Sequence, residues 1–160
     1  TTEIVITEVE AYRAAGDPAS HAYRGLTRRN ASMYEGAGTL YVYQSYGVHW
    51  CANVVTGSAG DASAVLIRGG RVVVGVDRMR ERRGRSDHLV DGPGKLCAAL
   101  GITGADDGSS LIDGPVRLVG DHPAGDFTIE ATPRIGISRA TVRPWRFVAR
   151  HGDGSSLAPT

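Results

Sequence analysis

Glu10, His21, the tyrosines at 41, 43 and 46, and Asn53 are the residues best suited to chemistry, in a run reading EAY…H…GTLYVYQSYGVHWCAN. A carboxylate can serve as a general base, and flat aromatic faces grip a planar ring. Together they suit a reaction in which such a ring is held and a bond to it is cut. Glu10 and Tyr12 lie two apart in a strand-like stretch, so their side chains project to one side. Glu8 has the same parity and competes with Glu10 for any role as base, because spacing does not separate them.

Tyr41 and Tyr43 share a face opposite Leu40 and Val42, a pattern that cross-strand packing alone can explain. Tyr46 is different. It falls at a tight turn before Gly47, where core packing explains a large aromatic poorly. An exposed aromatic wedge beside a cleft is a device for filling a gap in a base stack. Arg68 ends the apolar run AVLIR, from where it can reach back toward the same cleft.

The net charge is +1, so bulk charge neither demands nor excludes a polyanionic partner. The cations are 17 arginines and one lysine, Lys95. Arginine offers planar forked donors suited to phosphate, although genomic base composition also produces such a skew. Arg78, Arg80, Arg82, Arg83 and Arg85 cluster in eight positions, as a solvated helix face or a phosphate-contacting one. Gly92-Pro93-Gly94-Lys95 lacks the spacing of a P-loop. It could still place helix N-terminal amides and Lys95 near one phosphate. Cys51 and Cys97 form no CxxC pair and read as core residues, with no metal site expected. The absence of a signal-type segment or an apolar run of about 18 residues leads to the expectation of a soluble protein, not associated with membranes, in a reducing interior.

The surrounding elements must position these residues. At 160 residues the chain reads as one domain over 1–150, with a disordered tail at 151–160. A strand carries Ile4 to Tyr12, and its face turns from aliphatic to acidic and aromatic. Residues 13–38 are loop-rich, and strands at 39–44 and 48–55 form a hairpin with Tyr46 near its tip. A strand at 63–68, extendable through 70–73, leads to a basic helix over 74–83. The 83–91 segment, with few apolar residues, reads as the most mobile. A short helix follows Gly92-Pro93-Gly94, where the missing proline N–H costs little. Residues 103–114 form a loop, and strands at 116–119, 126–131 and 145–149 complete the domain. The fold class is therefore α+β: a single compact domain on a curved antiparallel sheet, roll-like or open-barrel-like, with short peripheral helices.

The ordered segments TEVEAYRAAGDPASHAYRG, RRNASMYEGAGTLYVYQSYGVHWCANVV, AVLIR, GPGKLCAALGI and PRIGISRATVRPWRF resemble the alkyladenine (3-methyladenine) DNA glycosylase family over about residues 3 to 148. The resemblance implies a monofunctional base-excision repair enzyme that removes damaged purines from double-stranded DNA. On this likeness Glu10 matches the catalytic glutamate, which decides between it and Glu8. Tyr12, His21 and Tyr43 match residues that hold the flipped base, and Tyr46 matches the tyrosine that fills its vacated place. Asn53 matches the pocket asparagine that disfavours the 2-amino group of guanine. Arg68 matches an arginine that positions the water and the target's backbone. Arg28, Arg29 and Lys95 are candidate phosphate contacts. No cofactor or metal is implied, and a monomer in the cytoplasm, at the nucleoid or in a nucleus is expected.

No lysine or other amine stands beside the motif to form a Schiff base, so base release without strand cleavage is expected. The sequence departs from the family pattern in starting almost at the EAY strand, where family members carry a further helix and strand. The segment from Arg85 to His88 is also shorter than is common. Three rival readings fit these residues less well. A non-catalytic damaged-DNA-binding module would not need Glu10. A carbohydrate hydrolase needs carboxylates flanking the scissile bond, which Glu8 and Glu10 on one strand cannot do. A formyltransferase-like RNA-binding domain would need neither Tyr46 at a turn tip nor Glu10 in a pocket.

Overall fold

The computed structural model describes residues 1–120, 126–155 and 157. Six strands form one sheet: β1 (Glu3–Arg13), β2 (Leu40–Ser45), β3 (His49–Val55), β4 (Ser63–Val74), β5 (Phe127–Thr132) and β6 (Arg146–His151). Their order is β2-β3-β4-β1-β6-β5, and each neighbouring pair is antiparallel. The sheet stays open. Helices α1 (Val76–Arg83) and α2 (Pro93–Leu100) complete an α+β domain. The expected fold class holds.

Period-two alternation sends the sheet's side chains to two different cores. On β2, Leu40 and Val42 join Ala52, Cys97 and Ile102 on the helical side. Tyr41, between them, joins Ala22, Met33 and Val55 on the other, with Tyr12 and Tyr43 packed against that cluster. Met79 of α1 and Leu96 and Ala99 of α2 pack with Ile67 of β4 in a third cluster. The helices thus brace one face, which leaves the face bearing the tyrosines for the loop-rich segment to cover.

β1 carries register shifts on both sides of Glu8, between Ile6 and Glu8 and between Glu8 and Val9. Such bulges bend a strand and redirect its side chains. They fall where β1 changes from aliphatic to acidic. α2 ends at Leu100, where Gly101 at φ +79° donates its N–H to the Cys97 carbonyl.

Several expectations need correction. No strand forms at 116–119, where a single backbone hydrogen bond from the Leu118 N–H to the Leu111 carbonyl does not extend into a ladder. The basic helix begins at Val76 instead of residue 74, because β4 runs on through Val74 and Gly75 turns the chain in the left-handed region. Within 83–91, Leu89 and Val90 are buried and Asp91 bridges to Gly69. The loop-rich stretch contains a 3-10 helical segment at Arg28–Tyr34. At the other end, His151 completes β6, and the Gly152 N–H donates to the Asp126 carbonyl. Residues 156 and 158–160 of the expected tail lie outside the described residues.

Candidate active site

Strand register assembles the site. Tyr41 pairs with Asn53, Asn53 with Leu66, Leu66 with Glu10, and Glu10 with Arg146. Five residues spread over more than 100 positions of sequence therefore form one row across β2, β3, β4, β1 and β6. Directly opposed residues share a face of the sheet. Tyr43 and Cys51 form the adjacent pair on β2 and β3.

Above this surface lies a cavity of about 520 Å³, lined among others by Tyr12, His21, Tyr43, Asn53 and Arg68, with Tyr46 at its rim. His21 and Tyr43 meet edge to face, with centroids 4.4 Å apart and planes at 84°. The His21 Nδ1 lies 3.0 Å from the Tyr41 hydroxyl. Burial and the nearby Arg29 charge hold the imidazole below its ordinary pKa, which favours the neutral ring. Asn30 secures this loop: its buried amide donates to the carbonyls of His21 and Gly25 at 3.0 Å each.

Glu10 has no exposed surface. One carboxylate oxygen accepts the Tyr12 hydroxyl at 2.7 Å, and the other accepts the Ile135 backbone N–H at 2.7 Å. The Arg68 Nε approaches that second oxygen at 3.4 Å. A carboxylate offers about four lone-pair sites, and the two hydrogen bonds from Tyr12 and Ile135 leave acceptor capacity on Glu10. Burial, then the hydrogen bond and charge of Glu10, push the Tyr12 phenol well above its ordinary pKa. Tyr12 is therefore a donor to the carboxylate.

Tyr46 is 92% exposed. Tyr46 and Gly47 have φ of +51° and +68°, and the Val48 N–H donates to the Ser45 carbonyl at 3.1 Å. Positive φ at both central residues is the type I′ pattern that suits a hairpin's twist. Glycine takes it freely and tyrosine does not. Asn53 is buried beneath the cavity, its amide nitrogen donating to the Tyr41 carbonyl at 3.0 Å.

Of the candidate phosphate contacts, Arg29 lines the cavity, donates to the Gln44 carbonyl at 2.9 Å and lies 6.0 Å from the Tyr43 ring centre. Arg28 is exposed on the Arg28–Tyr34 segment and does not line the cavity. Lys95 is paired with Asp91 at 3.1 Å and also stands apart from it. Cys51 and Cys97 are free and buried, as read, though Cys51 also lines the cavity.

Sequence reasoning missed the support behind Tyr12. Asp17 and Arg134 form a fully buried bidentate pair, with both contacts at 2.7 Å. The guanidinium lies 4.5 Å from the Tyr12 ring centre and 5.1 Å from that of Trp145, and donates to the Ala11 carbonyl. Asp17 lies in the loop-rich stretch 13–38, where nothing local marks it as half of a buried pair. The only available signal was Arg134 in the run PRIGISR, 117 residues away.

Fold and site together define a one-domain α+β protein with an open aromatic slot backed by a buried carboxylate. The family model described as Methylpurine-DNA glycosylase (MPG) matches residues 1–153. The chain belongs to the methylpurine-DNA glycosylase family. It is 52% identical over 147 residues to a "Putative 3-methyladenine DNA glycosylase" of Granulibacter bethesdensis, covering 89% of this chain and 69% of that protein. A protein of the same description from Methanoculleus marisnigri is 49% identical over 152 residues, covering 92% and 79%.

Proposed function

We propose that this chain excises alkylated purines from double-stranded DNA by hydrolysing the N-glycosidic bond, with Glu10 as the general base. The observation carrying this reading is the buried Glu10 carboxylate, which does not itself line the aromatic slot but stands directly behind three residues that do, Tyr12, Ile135 and Arg68. A base inside a duplex is out of reach, so the nucleotide must rotate out, at a cost of a few kcal/mol. Tyr46 offsets part of that cost by entering the stack. Tyr12 holds one face of the extruded ring, and Tyr43 with His21 holds the other side. Methylation at purine N3 or N7 makes the ring cationic, which weakens the bond to sugar and strengthens contact with aromatic faces.

A water then takes the open lone-pair site on Glu10, steered by Arg68. As its oxygen bonds to C1′, its proton passes to Glu10. The glycosidic electron pair moves onto the purine, which leaves neutral. The products are free base and an abasic site, with the strand intact. Asn53 is placed to crowd the 2-amino group of normal guanine.

The test is single-turnover base release from a duplex carrying 7-methylguanine. Glu10→Gln should retain lesion binding and lose about 10²–10⁴-fold in release, the range for general-base catalysis. Equal release by both proteins removes Glu10 from the reaction.

A further inference from the structure

Glu8 is the carboxylate this mechanism leaves unused, and it is bound to the site more firmly than a bystander would be. The Arg68 Nε donates to Glu8 Oε1 at 3.0 Å, while the same nitrogen stands 3.4 Å from Glu10 Oε1 without a hydrogen bond. Arg146 Nε holds Glu8 Oε1 from the other side at 2.7 Å, and its Nη1 donates to the Thr132 hydroxyl at 3.0 Å. Two arginine donors thus converge on one oxygen of Glu8. The terminal nitrogens of Arg68 have no protein acceptor among the described residues, and Arg68 lines the cavity.

We propose that Glu8 is a positioning residue that draws the Arg68 N–H away from Glu10, so that Glu10 remains free to accept a proton from water. This rests on the reading of Glu10 as the base. A guanidinium fully committed to Glu10 would hold that carboxylate as a stable ion pair and make it a poor base. Shared between two carboxylates, Arg68 stays in reach of the water yet leaves Glu10 reactive. The register shifts flanking Glu8 bring its carboxylate to the same arginine as that of Glu10.

The charged groups around the cluster fix the sign of the test. Glu8 faces Arg68 from β4, Arg146 from β6 and Glu10 on its own strand. Glu10 faces Arg68, the Tyr12 hydroxyl and the Ile135 N–H, with Arg134 behind Tyr12 and largely neutralised by Asp17. Removing the Glu8 charge releases Arg68 onto Glu10 and removes a like charge. Removing Arg146 instead takes a positive charge from the cluster and leaves Glu8 with Arg68 alone. The two changes therefore act on Glu10 in opposite directions.

The experiment measures single-turnover release against pH for wild type, Glu8→Gln and Arg146→Gln on a 7-methylguanine duplex, whose permanent charge keeps substrate protonation out of the acid limb. The limb should move down by about one pH unit in Glu8→Gln and up by a similar amount in Arg146→Gln, the scale for a charge within a few ångströms. Two limbs left in place, or moved in the same direction, overturn the proposal, whatever happens to the plateau rates. Circular dichroism identifies a variant that fails to fold; should Glu8→Gln do so, Glu8→Ala takes its place with the same downward shift expected, and Glu8→Asp, which keeps the charge, should return the limb toward its wild-type position. Release retained by Glu10→Gln sinks the parent reading. Release lost there with unmoved limbs here sinks only the role of Glu8.

Discussion

The back wall of the slot and the tip of the β2–β3 hairpin both present tyrosine to the same cavity, yet they are built on opposite terms. Tyr12 lies under the Arg134 guanidinium with its hydroxyl bonded to Glu10. Almost every polar group around it is engaged, the buried Arg134 Nε being an exception. Tyr46 is 92% exposed in a backbone conformation that tyrosine rarely adopts. In the wall, what holds the fold also holds the site. At the tip the two separate, since a strained and unpartnered aromatic adds nothing to the folded state by itself. Strain that persists without local compensation tends to mark a working part.

The strongest way to break the comparison is to cut the wall's buried pair. Asp17→Ala leaves the Arg134 charge without its partner in a site with no solvent exposure. Breaking such a pair from one side costs about 3–5 kcal/mol. A urea midpoint should drop accordingly, and base release should fall with it, because Arg134 supports Tyr12 and precedes the Ile135 amide bonded to Glu10. A loss below about 1 kcal/mol would show that the wall does not depend on this pair.

How much of this was readable in advance follows from the range of the signals. Period-two alternation placed Tyr41 and Tyr43 opposite Leu40 and Val42 because it is a property of one strand. The hairpin and Tyr46 at its tip were legible for the same reason. Glu8 and Glu10 could not be separated by parity; the resemblance decided between them, and the structure gives them different hydrogen-bond partners around one shared arginine, Arg68. Asp17 and Arg134 were invisible as a pair, because nothing local joins residues 117 positions apart. The false strand at 116–119 shows the complementary failure. Val116, Leu118 and Val119 are apolar enough for a strand, but strand formation requires a neighbour, and pairing is not written into the segment itself.

A second prediction sharpens the contrast through pH. Burial pushes the Asp17 and Glu8 carboxyls up, but the hydrogen bonds and charges of Arg134 for Asp17, and of Arg146 and Arg68 for Glu8, outweigh it and leave both below their ordinary values. A carboxylate with its folded value depressed contributes stability above its unfolded pKa. That contribution is lost as pH falls through the folded value. Urea midpoints should therefore hold steady from neutral pH to about pH 5 and fall below about pH 4, with a limiting slope on the order of 1 kcal/mol per pH unit for each carboxylate. Asp17→Asn should flatten part of that slope, while a substitution at the hairpin tip leaves it unchanged. A wild-type midpoint independent of pH from 5 to 2 would mean the wall's charges are not coupled to folding.

The smallest effect on stability is expected at the tip, with reversed sign. Tyr46→Gly gives a backbone at φ +51° the residue that adopts it freely. Left-handed geometry costs an ordinary side chain about 1–2 kcal/mol, and the greater freedom of glycine in the unfolded chain returns part of that. With so little of the ring buried, there is little packing to lose. The variant should be about 0.5–1 kcal/mol more stable by urea unfolding. It should nevertheless bind a lesion-bearing duplex about tenfold more weakly, since one aromatic stacking contact is worth about 1–3 kcal/mol. Binding to the same lesion in single-stranded DNA should change little, because no gap in a stack then needs filling. Greater stability with weaker duplex binding is the signature of a residue kept against the interest of the fold. A Tyr46→Gly protein that is less stable, or that loses single-stranded binding equally, would make the tip part of the scaffold and dissolve the distinction from the wall.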